Sequence, residues 1–440
     1  MASAYLTRTP SSSGNRKTFT FSFWVKRSGL GFGTFYSQYN SSSNNLNSSF
    51  YFDGQDNLIF WNYNSAYTVN VETNRMFRDT NAWYHIVLSV DTTQATASNR
   101  VKMYVNGVQE TSFSSSTYPS QNLDLFVNEN KTQQIGIFRY ASDNYYLFDG
   151  YMTHYHFIDG TALTPTSFGE SDSNGVWKPK TSPSVTYGTN GFFLKMDNSG
   201  NMGLDSSGNS NNFTTNGTIT QAKDTPSNVF ATWNSLFRKG TSTPAFSNGS
   251  LTSTFDDAGA NEFALTTLGA SSGKYYAEIK WVSATGTGAT STGILDMGYS
   301  GTADPNNAVT NTFAYFGNGN KNVSGSASSY GSSYTSGDII GIAMDLDNNK
   351  LYFSKNGVWQ NSGDPTSGAT GTGAISTITG VTYGFMTSDY NNKVCQLNTG
   401  NGYFGSTQIS SAGTNASGIG IFEYDVPTGY TALSTKGLNL

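Results

Sequence analysis

Alternation between large apolar and smaller polar side chains in residues 18–26 is the feature that most constrains the fold of this chain. Phe19, Phe21, Phe23 and Val25 occupy every second position. A period of two places these four side chains on one face of a β-strand, whereas a helix would distribute them around its axis. The segment therefore predicts a strand with one face in a core.

The alternation returns in residues 84–90 and 100–105, and Asn106-Gly107 follows directly. Asn-Gly between two strand patterns predicts a β-hairpin, because a type I′ turn needs positive φ at both central positions. The second half of the chain repeats this order in residues 274–282, 338–344 and 350–354, followed by Asn356-Gly357. The sequence thus predicts one kind of antiparallel hairpin in two separate sandwiches.

Composition favours an all-β fold throughout the chain. Aromatic residues make up 14% and charged residues 12% of the 440 residues, and 48 are glycine. Tyr and Phe suit a pleated, half-buried surface, and Gly tolerates the positive φ of turns, while low charge argues against long solvated helices. Because the chain is too long for one core, we predict two antiparallel β-sandwich domains in series.

The domain boundary is predicted where the strand patterns stop. Residues 221–228 include the turn-forming run Asp224-Thr225-Pro226-Ser227-Asn228 and have the character of a linker. We therefore predict a first domain over residues 1–220, a linker over 221–228 and a second domain over 229–440.

Charge and hydropathy exclude several partners. The formal net charge is −5 and no basic stripe occurs, so we expect no nucleic acid and no anionic membrane as a partner. No apolar run approaches the ~20 residues of a spanning helix, so we expect no membrane insertion. Residues 1–10 lack the pattern of a secretory signal, which predicts folding in a cytoplasm. The single cysteine, Cys395, permits no intrachain disulfide and is expected to be a small buried hydrophobe.

Candidate catalytic groups are few, and we predict that the protein is not an enzyme. Glycan hydrolysis generally needs two carboxylates beside the scissile bond, and no strand carries acids at alternate positions. Asp345 and Asp347 have that spacing, but they flank a turn and are interpreted as turn formers. Only three histidines are available for a nucleophilic triad, which are His85, His154 and His156.

Metal binding is an alternative for two of these histidines. His154 and His156 would share one face of a strand and could both bind a metal ion, but packing within the sheet is the preferred interpretation. A calcium ion in the first domain is a second alternative, and the loop carboxylates that could hold it are Asp53, Asp56, Asp143 and Asp149. Their spacing matches no specific metal loop. We therefore assign no catalytic residue, no metal site and no cofactor.

Two loop clusters have the composition of a glycan-binding surface. Sugar rings stack on aromatic side chains, while their hydroxyl groups meet amides and carboxylates. The first cluster consists of Tyr140, Asp143, Asn144, Tyr145 and Tyr146, and the second of Tyr315, Asn318, Asn320, Tyr330 and Tyr334. Tyrosine is also enriched at subunit interfaces, and a place in a core or an interface is the preferred interpretation of both clusters, with glycan contact as the functional candidate.

The first half resembles the laminin G-like branch of the concanavalin A-like fold over about residues 1–215. The residues that carry this resemblance are Thr20-Phe21-Ser22-Phe23-Trp24-Val25, Trp83-Tyr84-His85-Ile86-Val87, Val101 to Gly107, Phe148-Asp149-Gly150-Tyr151 and His156-Phe157-Ile158-Asp159-Gly160. The second half is similar to a SPRY domain in residues 273–279, 337–345 and 350–357. Both resemblances imply jelly-roll sandwiches of the same broad class.

The pairing of the two domains resembles large virion-associated proteins of tailed phages, particularly marine ones. The segments that carry it are Tyr5 to Pro10, Gly14 to Lys17, Phe157 to Glu170, Asp224 to Asn234 and Tyr430 to Leu440. This resemblance implies a virion structural protein, assembled in the host cytoplasm, that contacts other virion proteins.

We expect a surface appendage, either a tail fibre or a capsid fibre or decoration, that contacts host-surface glycans. A homo-oligomer is expected from virion symmetry. The alternatives are a purely architectural decoration or connector subunit without a ligand, and a glycan hydrolase.

Overall fold

The computed structural model describes residues 4–39, 46–140, 143–173, 175–237, 243–300, 304–307, 310–377 and 379–440, without the side chains of residues 139–140 and 143–145. The chain divides into two compact units, Met1–Gln221 and Ala222–Leu440. The division falls at the start of the predicted linker.

The predicted linker is itself folded within the second unit. Thr225 and Asn228 exchange backbone hydrogen bonds. The next residue, Val229, donates its N–H to Oγ1 of Thr435 at 3.0 Å and accepts a hydrogen bond from the backbone N–H of Thr435 at 2.9 Å. The two ends of the second unit therefore lie side by side.

The strands of the first unit are β1 (Tyr5–Arg8), β2 (Thr18–Arg27), β3 (Gly33–Tyr39), β4 (Leu46–Phe52), β5 (Asn57–Asn64), β6 (Tyr67–Met76), β7 (Trp83–Asp91), β8 (Val101–Val105), β9 (Val108–Gln109), β10 (Phe113–Thr117), β11 (Gln133–Ile135), β12 (Phe138–Tyr140), β13 (Asp143–Tyr145), β14 (Gly150–Asp159), β15 (Gly169–Ser171), β16 (Trp177–Pro179), β17 (Phe192–Leu194) and β18 (Thr214–Asn216). One antiparallel sheet has the order β10-β6-β5-β4-β3-β11-β1-β18, and the other has the order β17-β14-β2-β7-β8-β9. The hairpins β12–β13 and β15–β16 stand outside these sheets.

Aromatic side chains fill the space between the two sheets of the first unit. Phe19, Phe21, Phe23 and Val25 are fully buried there, as the alternation in β2 predicts. The ring of Phe23 stacks on Tyr155 with centroids 4.8 Å apart and an interplanar angle of 11°. The predicted hairpin turn also forms, since Asn106 and Gly107 have φ of 50° and 83°. The first half is therefore a β-sandwich with an aromatic core.

The strands of the second unit are β19 (Ala245–Ser247), β20 (Thr252–Phe255), β21 (Glu262–Leu265), β22 (Lys274–Ser283), β23 (Ser291–Asp296), β24 (Thr312–Phe316), β25 (Asn320–Val323), β26 (Ser326–Ser329), β27 (Ile339–Asp345), β28 (Lys350–Lys355), β29 (Val358–Trp359), β30 (Ile375–Ser376), β31 (Tyr383–Asp389), β32 (Lys393–Asn398), β33 (Tyr403–Phe404), β34 (Thr407–Gln408) and β35 (Thr431–Ala432). The larger sheet has the order β19-β20-β32-β22-β27-β28-β29, with β30 beside β28 and β35 beside β22. The smaller sheet has the order β21-β31-β23-β24-β25-β26, and β33–β34 is a separate hairpin.

Helical structure is limited to short 3-10 segments in the described residues. These are Ala97–Asn99, Pro165–Ser167, Gln360–Ser362, Pro365–Thr370 and Gly437–Asn439. In the described part of the chain, no helix is long and apolar enough to cross a membrane. The fold class is all-β, as predicted.

A buried carboxylate attaches the C-terminal segment to the larger sheet of the second unit. Glu278, on β22, accepts hydrogen bonds from the backbone N–H groups of Glu423 at 2.9 Å and Tyr424 at 2.8 Å. Nδ2 of Asn398 donates a third at 3.1 Å, and the Tyr276 hydroxyl a fourth at 3.3 Å. Burial raises the pKa of Glu278 to about 7, although these donors act to lower it. The segment thus covers a sheet face that would otherwise be open.

Titration of Glu278 should make the stability of the second unit depend on pH. The ordinary pKa of a Glu carboxyl group is 4.5 and burial raises it to about 7 in the folded chain, so the folded state binds the proton more tightly. This stabilisation should be complete below about pH 4.5 and should be lost as the pH rises to about 7. Hydrogen exchange at residues 274–283 across this pH range measures it.

The variant Glu278→Gln cannot titrate and should lose this pH dependence. Glu423→Gln is the matched control, because Glu423 contributes its backbone N–H to the same contact and should keep the wild-type profile. An identical pH profile in Glu278→Gln and wild type would contradict the assignment.

Candidate functional site: an aromatic face on the first unit

The larger sheet of the first unit carries aromatic side chains on its outer face. Along β4 and β5, Phe50 and Phe60 point into the core, while Tyr51 and Trp61 lie at alternate positions and are half-buried. Rings from neighbouring elements extend this surface. We call it the aromatic strip, which consists of Phe32, Tyr51, Trp61, Tyr63, Tyr67, Phe138 and Tyr146.

The rings of the aromatic strip form a continuous series of contacts. At one end Phe32 stacks on Tyr146 with centroids 4.0 Å apart, and Phe138 lies 6.0 Å from Tyr146. Trp61 follows at 5.8 Å from Phe138, and Tyr67 at 5.9 Å from Trp61. Offset-stacked and edge-to-face pairs at such distances are favourable, so the rings hold one another in position.

Exposure is greatest at the two ends of the aromatic strip. Tyr67 is 56% exposed at one end, and Phe32 and Tyr146 are 46% and 40% exposed at the other. Between them, Trp61 and Phe138 are half-buried. Large aromatic side chains exposed side by side indicate a surface that binds a partner or ligand.

Cross-strand pairing places polar groups beside the rings. Trp61 is directly opposite Asn70 on β6. Nδ2 of Asn70 donates to Oγ of Ser115 at 3.0 Å, whereas its Oδ1 accepts no hydrogen bond from any described residue. Thr34, the cross-strand neighbour of Tyr51, likewise has a buried hydroxyl that makes no hydrogen bond within the described chain. Both of these unpaired atoms are buried, so they lie beneath the surface of the site.

The first predicted cluster borders the aromatic strip. Tyr146 is a member of the strip and has a φ of 51°. The backbones of Tyr140, Asp143, Asn144 and Tyr145 belong to the hairpin β12–β13, but their side chains lie outside what the structure describes. The hairpin is joined to β3 through the Ser37 hydroxyl, which donates to the carbonyl oxygen of Ile137 at 2.8 Å.

The second predicted cluster has its rings in the core, which corrects the view of it as a binding surface. Tyr315, Tyr330 and Tyr334 are buried and pack together, with the Tyr315 ring 5.5 Å from Tyr330 and 4.9 Å from Tyr334. Tyr315 follows Phe313 at the alternate position of β24, so strand periodicity carries it inward. Of the amides, Asn318 is exposed and Asn320 half-buried. This cluster offers no open ring face to a sugar.

Most of the aromatic strip was not predicted from the sequence. In β4 and β5, which carry Tyr51, Trp61 and Tyr63, aromatic residues occupy both faces, so the sequence does not distinguish the core face from the outer face. Tyr67 is the one aromatic residue of β6 and stands at its start. The available signal was aromatic content at both parities of residues 46–67, which indicates a sheet with two apolar faces.

His85 lies in a buried network that does not activate a nucleophile. Nε1 of Trp177 donates to Nδ1 of His85 at 2.9 Å, which requires the proton of a neutral imidazole to be on Nε2. Nε2 lies 2.9 Å from Oγ of Ser22 and therefore donates to it. A general base would need the opposite tautomer. Burial lowers the pKa of His85 to about 3.

The other two histidines pack around one aromatic ring. The His156 ring stacks on Phe193 at 3.9 Å, and the His154 ring lies 6.0 Å from Phe193. Nδ1 of His156 is also 2.9 Å from the Tyr187 hydroxyl. Within the described residues, no group of three or more His, Cys, Asp or Glu side chains could hold a metal ion.

The loop carboxylates considered for calcium have other partners. Asp56 pairs with Arg27 at 2.9 Å and Arg78 at 3.0 Å, so guanidinium groups occupy its oxygen atoms. Oδ1 of Asp53 accepts backbone N–H groups from Gln55 and Asn57. Burial raises the pKa of Asp149, which disfavours its charged form, and the side chain of Asp143 lies outside the described residues.

The carboxylates considered for hydrolysis are also committed to structure. Oδ2 of Asp345 is 3.0 Å from Nζ of Lys274, and Oδ1 of Asp347 accepts the backbone N–H of Gly273 at 2.7 Å. Both hold the start of β22 beside the turn after β27. They are turn-stabilising groups, as their sequence context predicts.

Comparison with known families identifies both domains. Residues 2–167 match the Concanavalin A-like lectin/glucanases superfamily, and residues 274–402 match the SPRY domain. The two matches support the resemblance of the first half to the concanavalin A-like fold and that of the second half to a SPRY domain. No curated protein matches the chain.

Several solved structures are similar to parts of the chain. The SPRY domain of human HERC1 is 17% identical, with 33% of this chain and 87% of that one covered and a TM-score of 0.27. The heptameric SAP-like pentraxin from Limulus polyphemus is 16% identical, with coverage of 37% and 72% and a TM-score of 0.29. Domain 4 of AbnA, an extracellular arabinanase from Geobacillus stearothermophilus in complex with arabinotriose, is 26% identical, with coverage of 36% and 66% and a TM-score of 0.27.

The three imidazoles should remain neutral between about pH 5 and 8, where an unperturbed histidine titrates. Burial lowers the pKa of His85 to about 3 and that of His154 to about 4, and it holds the pKa of His156 well below the ordinary value. Nitrogen-15 NMR of the imidazoles measures both the protonation and the tautomer. Titration of His85 near its ordinary value of 6.5, or a proton on its Nδ1, would contradict this network.

Proposed function

We propose that this chain is a structural protein displayed on a tailed-phage particle and that the aromatic strip of its first unit binds glycans of the host surface. The observation that carries the glycan-binding part is the strip itself, a set of mutually supported aromatic rings with exposed members at both ends.

The chemistry of the aromatic strip supports a glycan ligand. A sugar has apolar C–H faces that pack on aromatic rings and hydroxyl groups that need hydrogen-bonding partners. Asn70, directly opposite Trp61, and Glu72 two residues along the same strand are half-buried polar side chains beside the rings.

The small number of carboxylates on the described strands of the aromatic strip supports binding over hydrolysis. Hydrolysis by the common mechanisms requires two carboxyl groups across the scissile bond. Two rows of paired residues cross the described strands, one through Trp61 and one through Ile59. Glu72 is the one carboxylate in these two rows. We therefore propose a binding protein that is not an enzyme.

Display on a particle is supported by the segments that resemble phage virion proteins and by the need for avidity. Single glycan contacts are weak, and many copies on one particle convert them into strong attachment. The proposal includes a homo-oligomer in contact with other virion proteins, as a tail fibre or a capsid decoration. Antibodies against the chain should label intact purified particles in electron micrographs.

Removing a ring from the aromatic strip should weaken glycan binding. Trp61→Ala and Tyr67→Ala should each reduce affinity about tenfold or more on a host-polysaccharide array, because aromatic anchors commonly contribute ~2 kcal/mol. Tyr67 is the safer variant for folding, since it is the more exposed. Tyr104→Ala is the matched control, because Tyr104 is a half-buried tyrosine on β8 of the other sheet.

Other outcomes would replace the proposal. Particle labelling without glycan binding would favour the architectural alternative. Concentration-dependent self-association that is lost in Tyr67→Ala, with no glycan bound, would make the strip a subunit interface. Release of sugar products from a host polysaccharide would show an enzyme.

A further inference from the structure

The aromatic strip is longer than a site for one sugar ring needs to be. Three steps of 6.0, 5.8 and 5.9 Å lead from Tyr146 through Phe138 and Trp61 to Tyr67. The members on β4, β5 and β6 also lie on successive strands, which are spaced roughly 4.8 Å apart. A monosaccharide would cover one part of the strip and leave the other exposed.

The exposure of the rings along the aromatic strip also indicates a ligand longer than one sugar ring. The most exposed rings are at the two ends, where Tyr67 and the Phe32–Tyr146 pair protrude. The rings between them are half-buried. A ligand that removes both exposed ends from water must be an extended molecule, since burial of apolar area is gained only where the ligand makes contact.

The polar positions on the described strands beside the rings carry little charge. Pairing across the described strands gives two rows on this face, which are Ser49-Trp61-Asn70-Thr117 and Tyr51-Ile59-Glu72-Ser115. The charged residue in these rows is Glu72, an anion. A ligand with carboxylates or sulfates would meet this negative charge without a cation from either row.

We infer that the aromatic strip binds an extended, uncharged glycan chain of several units, and that Glu72 sets its preference for neutral sugars. This inference rests on the proposed glycan-binding function. Stacking on successive rings supplies the affinity. Glu72 disfavours acidic sugars.

A length series tests the extended site. The full chain is titrated calorimetrically with neutral glucan and mannan oligomers, from monosaccharide to hexasaccharide. Affinity should rise by about tenfold or more between the monosaccharide and the tetrasaccharide, which corresponds to about 1.4 kcal/mol, and should then level off. Equal affinity for every length, still dependent on Trp61, would overturn the extended site and leave glycan binding intact.

A charge series tests the preference for neutral chains. Uronate oligomers of the same lengths should bind wild type at least about tenfold more weakly than the neutral oligomers. Glu72→Lys should reduce or reverse this difference, and Glu72→Gln, the matched neutral control, should reduce it less. Tighter binding of uronate oligomers by wild type would overturn the charge assignment.

If no neutral or acidic oligomer binds in any variant, the proposed glycan-binding function itself fails, which is distinct from all these results.

Discussion

Close packing of aromatic rings between two twisted sheets is the interaction on which the first unit depends. Phe23 contacts Tyr155, Phe35 and Phe50, so one side chain of β2 joins strands from both sheets. Rings of this size bury large apolar areas and fix their neighbours through preferred pair geometries. Because the chain has a single cysteine, intrachain disulfides contribute nothing, and side-chain packing and hydrogen bonding hold the sheets together.

Segments of the chain cover the outer faces of two sheets, and this explains which sheet surface remains open. In the first unit, the smaller sheet has its outer face covered by residues 161–190, where Trp177 bonds to His85 and Phe168 packs on His156. In the second unit, the C-terminal segment covers the larger sheet and is attached through Glu278. In the aromatic strip, by contrast, the described residues leave Tyr67 and Phe32 about half exposed.

The fold was predictable from the sequence because its signals are local. Alternation in β2 and the Asn-Gly turns need information from only a few residues, and both appear in the structure as predicted. The folded state of residues 224–228 was not predictable, since its partners near Thr435 are about two hundred residues away. Pro and Asp in that segment indicate a turn equally well in a linker or in a domain.

The candidate site was predictable only in part, because exposure depends on register. Loop composition drew attention to Tyr146, which lies in the aromatic strip, but it also selected Tyr315, Tyr330 and Tyr334, which strand parity and packing place in the core. The place of Trp61 and Tyr67 on the outer surface depends on the pairing of β4, β5 and β6, which the sequence alone does not give. A strand with aromatic residues on both faces does not reveal by itself which face another segment covers.

The paired ends of the second unit have a consequence for how such chains are assembled from modules. Val229 and Thr435 bond to each other, so the polypeptide enters and leaves this sandwich at one point. A module of this kind can be placed within a surface loop of another protein without separating the strands on either side. Its connections would have little effect on the host fold, so one sandwich can be exchanged for another while the rest of the chain keeps its structure.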